Sequence, residues 1–168
     1  MKLVVIRHAI AMEREEFAST GQSDDLRPLT DEGREKMKRH AAALVELVPK
    51  IDLLATSPLV RARQTAEIVA RAYHIKVSDL TEALVPDAAF STFTKWLTPH
   101  QDKEVVAVVG HEPHLSTLVT WLMAGLDESR VDLKKGGVCL LEIDGRPHRA
   151  AATLRWLLTP RQLARLAP

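Results

Sequence analysis

The sequence has little of several features that mark particular classes of protein. Its one cysteine, Cys139, lies in an apolar run, so no disulfide can form within the chain and a buried structural thiol is expected. Basic and acidic residues number 23 and 22, a balance that does not point to a nucleic-acid or membrane partner. No apolar run approaches the ~18 residues of a membrane helix. The apolar stretch before Arg7 is too short for a signal peptide, so we expect a cytoplasmic location.

What the chain does contain is ordinary for a globular protein. Its 168 residues, 46% hydrophobic and 27% charged, suit one domain with a sizeable core. We find no repeat, low-complexity segment or linker. We expect the domain to occupy residues 1–160, with 161–168 as a C-terminal tail.

Apolar runs and helical patterns alternate along the chain. Strands are predicted at Leu3–Ile6, 51–55, 75–80, 104–109, 138–143 and 150–158, the last two joined by a turn at Asp144-Gly145. Helices are predicted at 13–18, after Thr30, from Ser57-Pro58, and at 88–97 and 113–123. This order predicts the α/β class: a three-layer α/β/α domain whose mostly parallel sheet has an antiparallel C-terminal edge strand.

Polar residues follow three of the predicted parallel strands. The first strand ends in Arg7 and His8, the second leads to Arg61, and the fourth ends in Gly110-His111. Parallel strands joined by right-handed crossovers bring these ends to one edge of the sheet, where ligands bind. Arginines, histidines and helix N-termini around one point predict an anion site. Taken singly, Arg61 fits a surface helix and His111 fits a helix cap, whereas His114 and the four remaining histidines fit packing or surface roles.

Four motifs together resemble the histidine phosphatase superfamily, which has the phosphoglycerate-mutase-like fold. They are Arg7-His8-Ala9, Arg27-Pro-Leu-Thr-x-x-Gly33, Ser57-Pro-Leu-x-Arg61-Ala-x-Gln-Thr-Ala66 and Gly110-His-Glu-Pro113. The short chain and the residues of the second and fourth motifs are most similar to those of SixA-type phosphohistidine phosphatases. The motifs are specific as a set, and the resemblance runs from residue 1 to about 160.

The resemblance implies a role for each motif residue. His8 would attack phosphorus to form a phosphohistidine intermediate, while Arg7, Arg61 and His111 hold the phosphoryl oxygens. Arg27 would also contact substrate, or it could pair with Asp24 or Asp25 instead. No metal or cofactor is implied.

Two departures from the family pattern affect this reading. The usual Arg-His-Gly triplet is Arg-His-Ala here, and alanine at position 9 restricts the backbone more than glycine does. Larger members also carry an inserted region with a carboxylic acid that protonates an alkoxide leaving group. That region is absent here. Glu82 falls near where such an acid could lie, and the alternative is that Glu82 is a solvated loop residue without a catalytic role. Since an imidazole leaves more readily than an alkoxide, a missing acid favours P–N over P–O cleavage.

The sequence therefore predicts a phosphohistidine phosphatase that acts on a phosphorylated protein. One alternative is a phosphatase for a small phosphoester or phosphoanhydride. A second is a metal-dependent hydrolase using His8, His111, Glu112 and His114, although no His-Glu-x-x-His pattern is present. A third is an inactive relative that binds phosphorylated partners.

Overall fold

A six-stranded sheet organises the chain, and the computed structural model describes residues 1–168. The strands are β1 (Lys2–Arg7), β2 (Leu53–Thr56), β3 (Asp79–Leu80), β4 (Val105–Gly110), β5 (Val138–Ile143) and β6 (Ala152–Leu158). Their spatial order is β3-β2-β4-β1-β5-β6. The first four in that order are parallel to one another, whereas β5 runs antiparallel to both of its neighbours, β1 and β6. The predicted α/β class and antiparallel C-terminal edge are confirmed.

Helices cover both faces of this sheet. They are α1 (Arg14–Ala18), α2 (Asp31–Leu47), α3 (Val60–Ala72), α4 (Phe90–Leu97), α5 (His114–Ala124) and α6 (Pro160–Leu166). Buried side chains of α2, α3 and α6 share one hydrophobic cluster, and those of α4 and α5 share another. Along β1, Val4 and Ile6 belong to the first cluster and Leu3 and Val5 to the second, as the period of a strand requires. The sheet is therefore the middle of three layers.

The predicted C-terminal tail was wrong. Residues 160–166 form α6, which begins with a capping box at Thr159 and packs beside α2. Leu163 is fully buried in the same cluster as Met37 and Leu44. This seven-residue segment is too short for its sequence pattern to reveal a helix, but the burial of Leu163 makes these residues part of the domain.

Three predicted boundaries also shift. Helix α3 begins at Val60 with Leu59 as N-cap, and the Ser57 hydroxyl lies 2.9 Å from Nε2 of His111. The third strand shortens to Asp79–Leu80, at the sheet edge. Residues 144–151 separate β5 from β6, so Asp144-Gly145 is part of a longer loop and not a tight hairpin turn.

Candidate active site

The four residues of the predicted anion site come together at the C-terminal edge of the sheet. Arg7 pairs with Gly110 across β1 and β4, so the residues that follow, His8 and His111, lie side by side. Their ring centroids are 5.2 Å apart, with the rings tilted by 54°. The two central strands thus set the spacing of the two histidines.

His8 is held with one ring nitrogen occupied. Its Nδ1 lies 2.7 Å from the carbonyl oxygen of Ala9, which accepts a hydrogen bond from a protonated Nδ1. That tautomer leaves the lone pair on Nε2. Burial, together with the charges of Arg61, Arg7 and Arg27, lowers the pKa of His8 to about 3. The imidazole is therefore neutral at physiological pH, as a nitrogen nucleophile must be.

Ala9 fits the position that glycine usually holds in the family. Only His74 and Ala150 among non-glycine residues have a positive φ, so Ala9 has no left-handed strain. Its N–H donates to the Thr65 hydroxyl at 3.0 Å, and that hydroxyl donates to the carbonyl of Arg61 at 2.7 Å. Thr65 thus ties the His8 loop to the first turn of α3.

Arg61 lies inside the site, contrary to the surface position that a helical arginine usually takes. Its side chain is 3% exposed, and Nη1 donates to the carbonyl oxygen of Asp24 at 2.9 Å. Its Nε has no hydrogen-bond partner in the protein. Arg7 is half-buried, with Nη1 donating to the carbonyl of Leu133 at 2.9 Å and a buried Nε that also lacks a partner. Both guanidiniums therefore keep donors available for an anion.

His111 completes this set. It is 2% exposed, and its Nε2 lies 2.9 Å from the Ser57 hydroxyl, while Nδ1 has no partner. Burial, followed by repulsion from His8 when that ring is protonated and from Arg61, lowers the pKa of His111 to about 2. A neutral His111 can still donate one hydrogen bond to a phosphoryl oxygen.

Of the two partners considered for Arg27, the structure selects Asp24. Arg27 is 7% exposed; its Nε donates to the Asp24 carboxylate at 2.7 Å and its Nη1 to the carbonyl of Met12 at 2.7 Å. Asp24 also lies 3.3 Å from Nη1 of Arg61. Partial burial opposes ionisation of Asp24, but the hydrogen bond from Arg27 and the charge of Arg61 hold its pKa below the ordinary value. One carboxylate thus orients two of the predicted phosphate ligands.

These side chains open into one cavity of about 360 Å³, which we call the His8 cavity. Charged residues, histidines and prolines line it: Arg7, His8, Glu13, Arg14, Arg27, Arg61, Pro86, His111, Glu112, Pro113 and Lys135. Five of these are permanent cations and two are carboxylates. The cavity is suited to a small, highly charged anion.

Glu82 does not line the His8 cavity. It is exposed and borders an adjoining cavity of about 590 Å³, which shares Arg14, Arg61 and Pro86 with the first. We call this second space the Glu82 cavity. Glu82 is thus placed beside the His8 cavity and not within it.

The sequence interpretation missed three charged residues of the His8 cavity: Glu13, Arg14 and Lys135. Lys135 precedes the glycine pair before β5, a position that could have been identified as a strand-end loop. Nothing in the sequence marks Glu13 or Arg14 as site residues, because only the fold brings the start of α1 to this cavity. Glu112 also lines this cavity, and burial raises its pKa.

The remaining candidates do not form a metal centre. His114 is buried and packs against Phe90, with ring centroids 5.6 Å apart. No group of three or more His, Cys, Asp or Glu side chains is arranged to hold a metal ion. No helix has both the length and the apolar character needed to cross a membrane.

Comparisons with known proteins agree with this geometry. Residues 3–84 match the family model described as the histidine phosphatase superfamily (branch 1). An uncharacterized protein of Picosynechococcus sp. is 35% identical over 141 residues, covering 82% of each chain. The solved structure of the protein histidine phosphatase SixA complexed with tungstate superposes with a TM-score of 0.82 at 24% identity, covering 97% of this chain and 99% of that one. The alpha-ribazole phosphatase from Shigella flexneri gives a TM-score of 0.70 at 22% identity, covering 95% and 97%. The chain belongs to the histidine phosphatase superfamily, and this membership supports a phosphatase activity.

Proposed function

We propose that this protein is a metal-independent phosphohistidine phosphatase that hydrolyses phosphohistidine on a protein through a covalent intermediate on His8. One observation carries the proposal: a neutral His8, with Nδ1 bonded to Ala9 and Nε2 free, faces a cavity rich in cations. The fold of SixA, described as a protein histidine phosphatase, has the same architecture.

In the first step, Nε2 of His8 attacks phosphorus as the bond to the leaving group breaks. Arg7, Arg61 and His111 donate to the three equatorial oxygens, where negative charge is spread in the transition state. The Ala9 carbonyl stabilises the positive charge that develops on the His8 ring, since it accepts the hydrogen bond from Nδ1. Arg27 reaches the same cavity, held there by Asp24.

In the second step, water attacks the phosphohistidine on the face that the leaving group has vacated. The His8–phosphorus bond breaks, the electron pair returns to Nε2, and orthophosphate leaves after the water gives up a proton. The same cations hold the phosphoryl oxygens in both steps. They supply the charge neutralisation that a metal ion would otherwise provide.

The Glu82 cavity supports P–N cleavage. Four carboxylates border it, those of Asp24, Asp25, Glu82 and Asp87, and they outnumber its two arginines, Arg14 and Arg61. The imidazole of phosphohistidine leaves most easily when its ring is protonated or gains a proton as the P–N bond breaks. Nearby carboxylates stabilise the positive charge of that protonated ring. An alkoxide would need full proton transfer and would be repelled by the same charges. We therefore place a phosphohistidine side chain, and the protein that carries it, on this side of the site.

The second candidate is a phosphatase for a small phosphoester, and the position of Glu82 is the observation that favours it. A carboxylic acid beside the leaving-group position is what P–O cleavage requires. The two functions differ in whether the Glu82 carboxyl group accelerates hydrolysis of a phosphoester.

The test compares turnover of a phosphohistidine peptide, a sugar phosphate and an aryl phosphate, with and without EDTA. The proposal expects the phosphohistidine peptide to be hydrolysed with the highest kcat/KM, unaffected by EDTA. Rapid acid-free quenching should trap one phosphoryl group per chain on His8. Preference for the sugar phosphate would favour the small-molecule function, and loss of activity in EDTA would contradict metal independence.

A further inference from the structure

A second basic cavity adjoins the His8 cavity, and the proposed reaction does not use it. Its volume is about 390 Å³, and both Arg7 and Lys135 line it as well as the His8 cavity. Lys36 and His40 of α2 and Lys134 of the loop before β5 complete its polar lining. We call it the Lys36 cavity.

The polar side chains that line the Lys36 cavity are cations and one buried imidazole, set among apolar residues and glycines, with no carboxylate. Lys36 pairs with Glu32 and Lys134 lies 2.7 Å from Asp132, but both carboxylates lie outside the lining. Lys135 has no ion-pair partner in the protein. On an ordinary solvated surface we would expect positive and negative side chains to be mixed. A cavity whose charged side chains are all positive points instead to a bound anion.

Buried donors without partners lead to the same conclusion. His40 is 4% exposed, and its Nδ1 makes no hydrogen bond of ordinary geometry. The buried Nε of Arg7 also has no partner. Buried polar groups are nearly always hydrogen-bonded, and both residues line this cavity, so a ligand there is the partner that we expect for them.

The loop that carries the lysines is fixed against α2. Gly136 has φ +76°, and a Cβ there would lie 3.0 Å from Nδ1 of His40. Its N–H also donates to the carbonyl oxygens of Arg7 and His8, at 3.2 and 3.1 Å. The lysines therefore have a defined position relative to His8, which a mobile surface loop would not give them.

We propose that the Lys36 cavity is an anion-binding subsite that holds a carboxylate or phosphate group while the phosphoryl group occupies the His8 cavity. Its anion would be a second acidic group of the substrate, such as a glutamate or aspartate near the phosphohistidine. Arg7 and Lys135, shared by the two cavities, would contact both anions. The assignment of this anion to the substrate rests on the proposed phosphatase function, whereas the subsite itself does not.

Calorimetric titration with orthophosphate and tripolyphosphate tests the subsite. The variant K36Q/K134Q removes two cations that line only the Lys36 cavity. The control K38Q/K103Q removes two exposed lysines that also pair with neighbouring carboxylates but line neither cavity. We expect tripolyphosphate to bind the wild type more tightly than orthophosphate. K36Q/K134Q should weaken tripolyphosphate binding about ten-fold, the scale of one charge-assisted hydrogen bond, and the control should not. Equal weakening in both double variants, or none in either, would overturn the subsite.

Two further measurements identify the source of the anion. With a phosphohistidine peptide that carries neighbouring glutamates, K36Q/K134Q should raise KM, while KM for the same peptide with glutamines stays unchanged. If instead two orthophosphates bind per wild-type chain and one is lost in K36Q/K134Q, the subsite takes a free anion and its assignment to the substrate is wrong. If no peptide is hydrolysed at all, the proposed function fails while the calorimetry still decides the subsite.

Discussion

Nδ1 of His8 lies 2.7 Å from the carbonyl oxygen of Ala9, the residue that follows it in the chain. This contact sets the tautomer of the nucleophile and its ring orientation at once. It also uses a backbone atom, so replacing Ala9 with another residue leaves the acceptor in place. Alanine and glycine at this position therefore present the same acceptor to Nδ1 of His8.

Replacing His8 with alanine should abolish turnover, because no other side chain can form the covalent intermediate. We expect a loss greater than about 10³-fold, as is typical when a nucleophile is removed. Circular dichroism should show the native fold, since His8 follows the end of β1 and lies outside both hydrophobic clusters. His148→Ala, at an exposed loop position, is the control and should keep full activity. Substantial activity in His8→Ala would refute the mechanism.

Arg61→Lys should lower kcat/KM by about 10²-fold or more, because an ammonium cannot reproduce the planar donor set of a buried guanidinium. The matched control is Arg63→Lys, two residues further along α3 and exposed to solvent. It should behave as the wild type. Similar rates in the two variants would show that Arg61 does not touch the phosphoryl group.

Glu82→Gln separates the two candidate reactions. If P–N cleavage is the natural reaction, phosphohistidine hydrolysis should barely slow. Any alkyl phosphate hydrolysis should slow by about 10²-fold or more, because an acid matters in proportion to the basicity of the leaving group. Glu13→Gln is the comparison, since Glu13 lines the His8 cavity itself. Large and equal losses on both substrates in Glu82→Gln would indicate an acid adapted to esters.

Stability should fall as the pH is lowered from about 6.5, the ordinary pKa of histidine. Burial lowers the pKa of His8 to about 3 and of His111 to about 2, and it also lowers those of His40 and His114. Between these values and 6.5 the unfolded chain binds more protons than the folded one, so acid favours unfolding. Each such histidine contributes a slope of up to about 1.4 kcal/mol per pH unit.

Urea unfolding between pH 4 and 7 measures this slope. His111→Gln should reduce it, because one titrating group is removed from the folded site. His148→Gln, with an exposed ring, should leave it unchanged. An unaltered slope in His111→Gln would mean that His111 is charged in the folded protein.

Gly33→Ala should destabilise the fold, although alanine is the better helix former by about 1 kcal/mol. Gly33 lies in the first turn of α2, where a Cβ would fall 2.1 Å from the backbone oxygen of Ile10. That oxygen also accepts from the Thr30 N–H, so it cannot move aside freely. We expect a loss of at least about 1–3 kcal/mol in the free energy of unfolding, the range for overpacking. Glu35→Ala, on the exposed side of α2, should be neutral or stabilising.

The parts of the site that lie on strands could be predicted from the sequence. The apolar runs before Arg7 and before Gly110 define buried strands, and the rule that parallel strands end at one edge brings His8 and His111 together. Arg61 follows from its place in the first turn of the next helix. These positions depend on periodicity and topology, both of which the sequence contains.

The parts that depend on loops could not be predicted. Asp24 contacts Arg27 and Arg61 because residues 19–29 fold back over α3, and no periodic pattern marks that path. The packing of Leu163 on α2 is equally hidden, since a helix of one buried residue is stabilised by its partners and not by its own sequence. Glu13 lines the His8 cavity and Glu82 lies beside it, a difference that the sequence could not reveal because both residues are glutamates outside any strand.

The pairing of β1 with β4 has a consequence for the motions of this enzyme. Both strands lie in the interior of the sheet, with their apolar side chains almost fully inaccessible to solvent. Amide protons in such strands exchange only when the whole domain opens. The separation of His8 from His111 is therefore as durable as the native state itself, and temperature or mild denaturant should not loosen it before global unfolding. Asp24 and Lys135 lie outside these strands, on connecting segments, so substitutions there can adapt the cavity to a new substrate without disturbing the nucleophile.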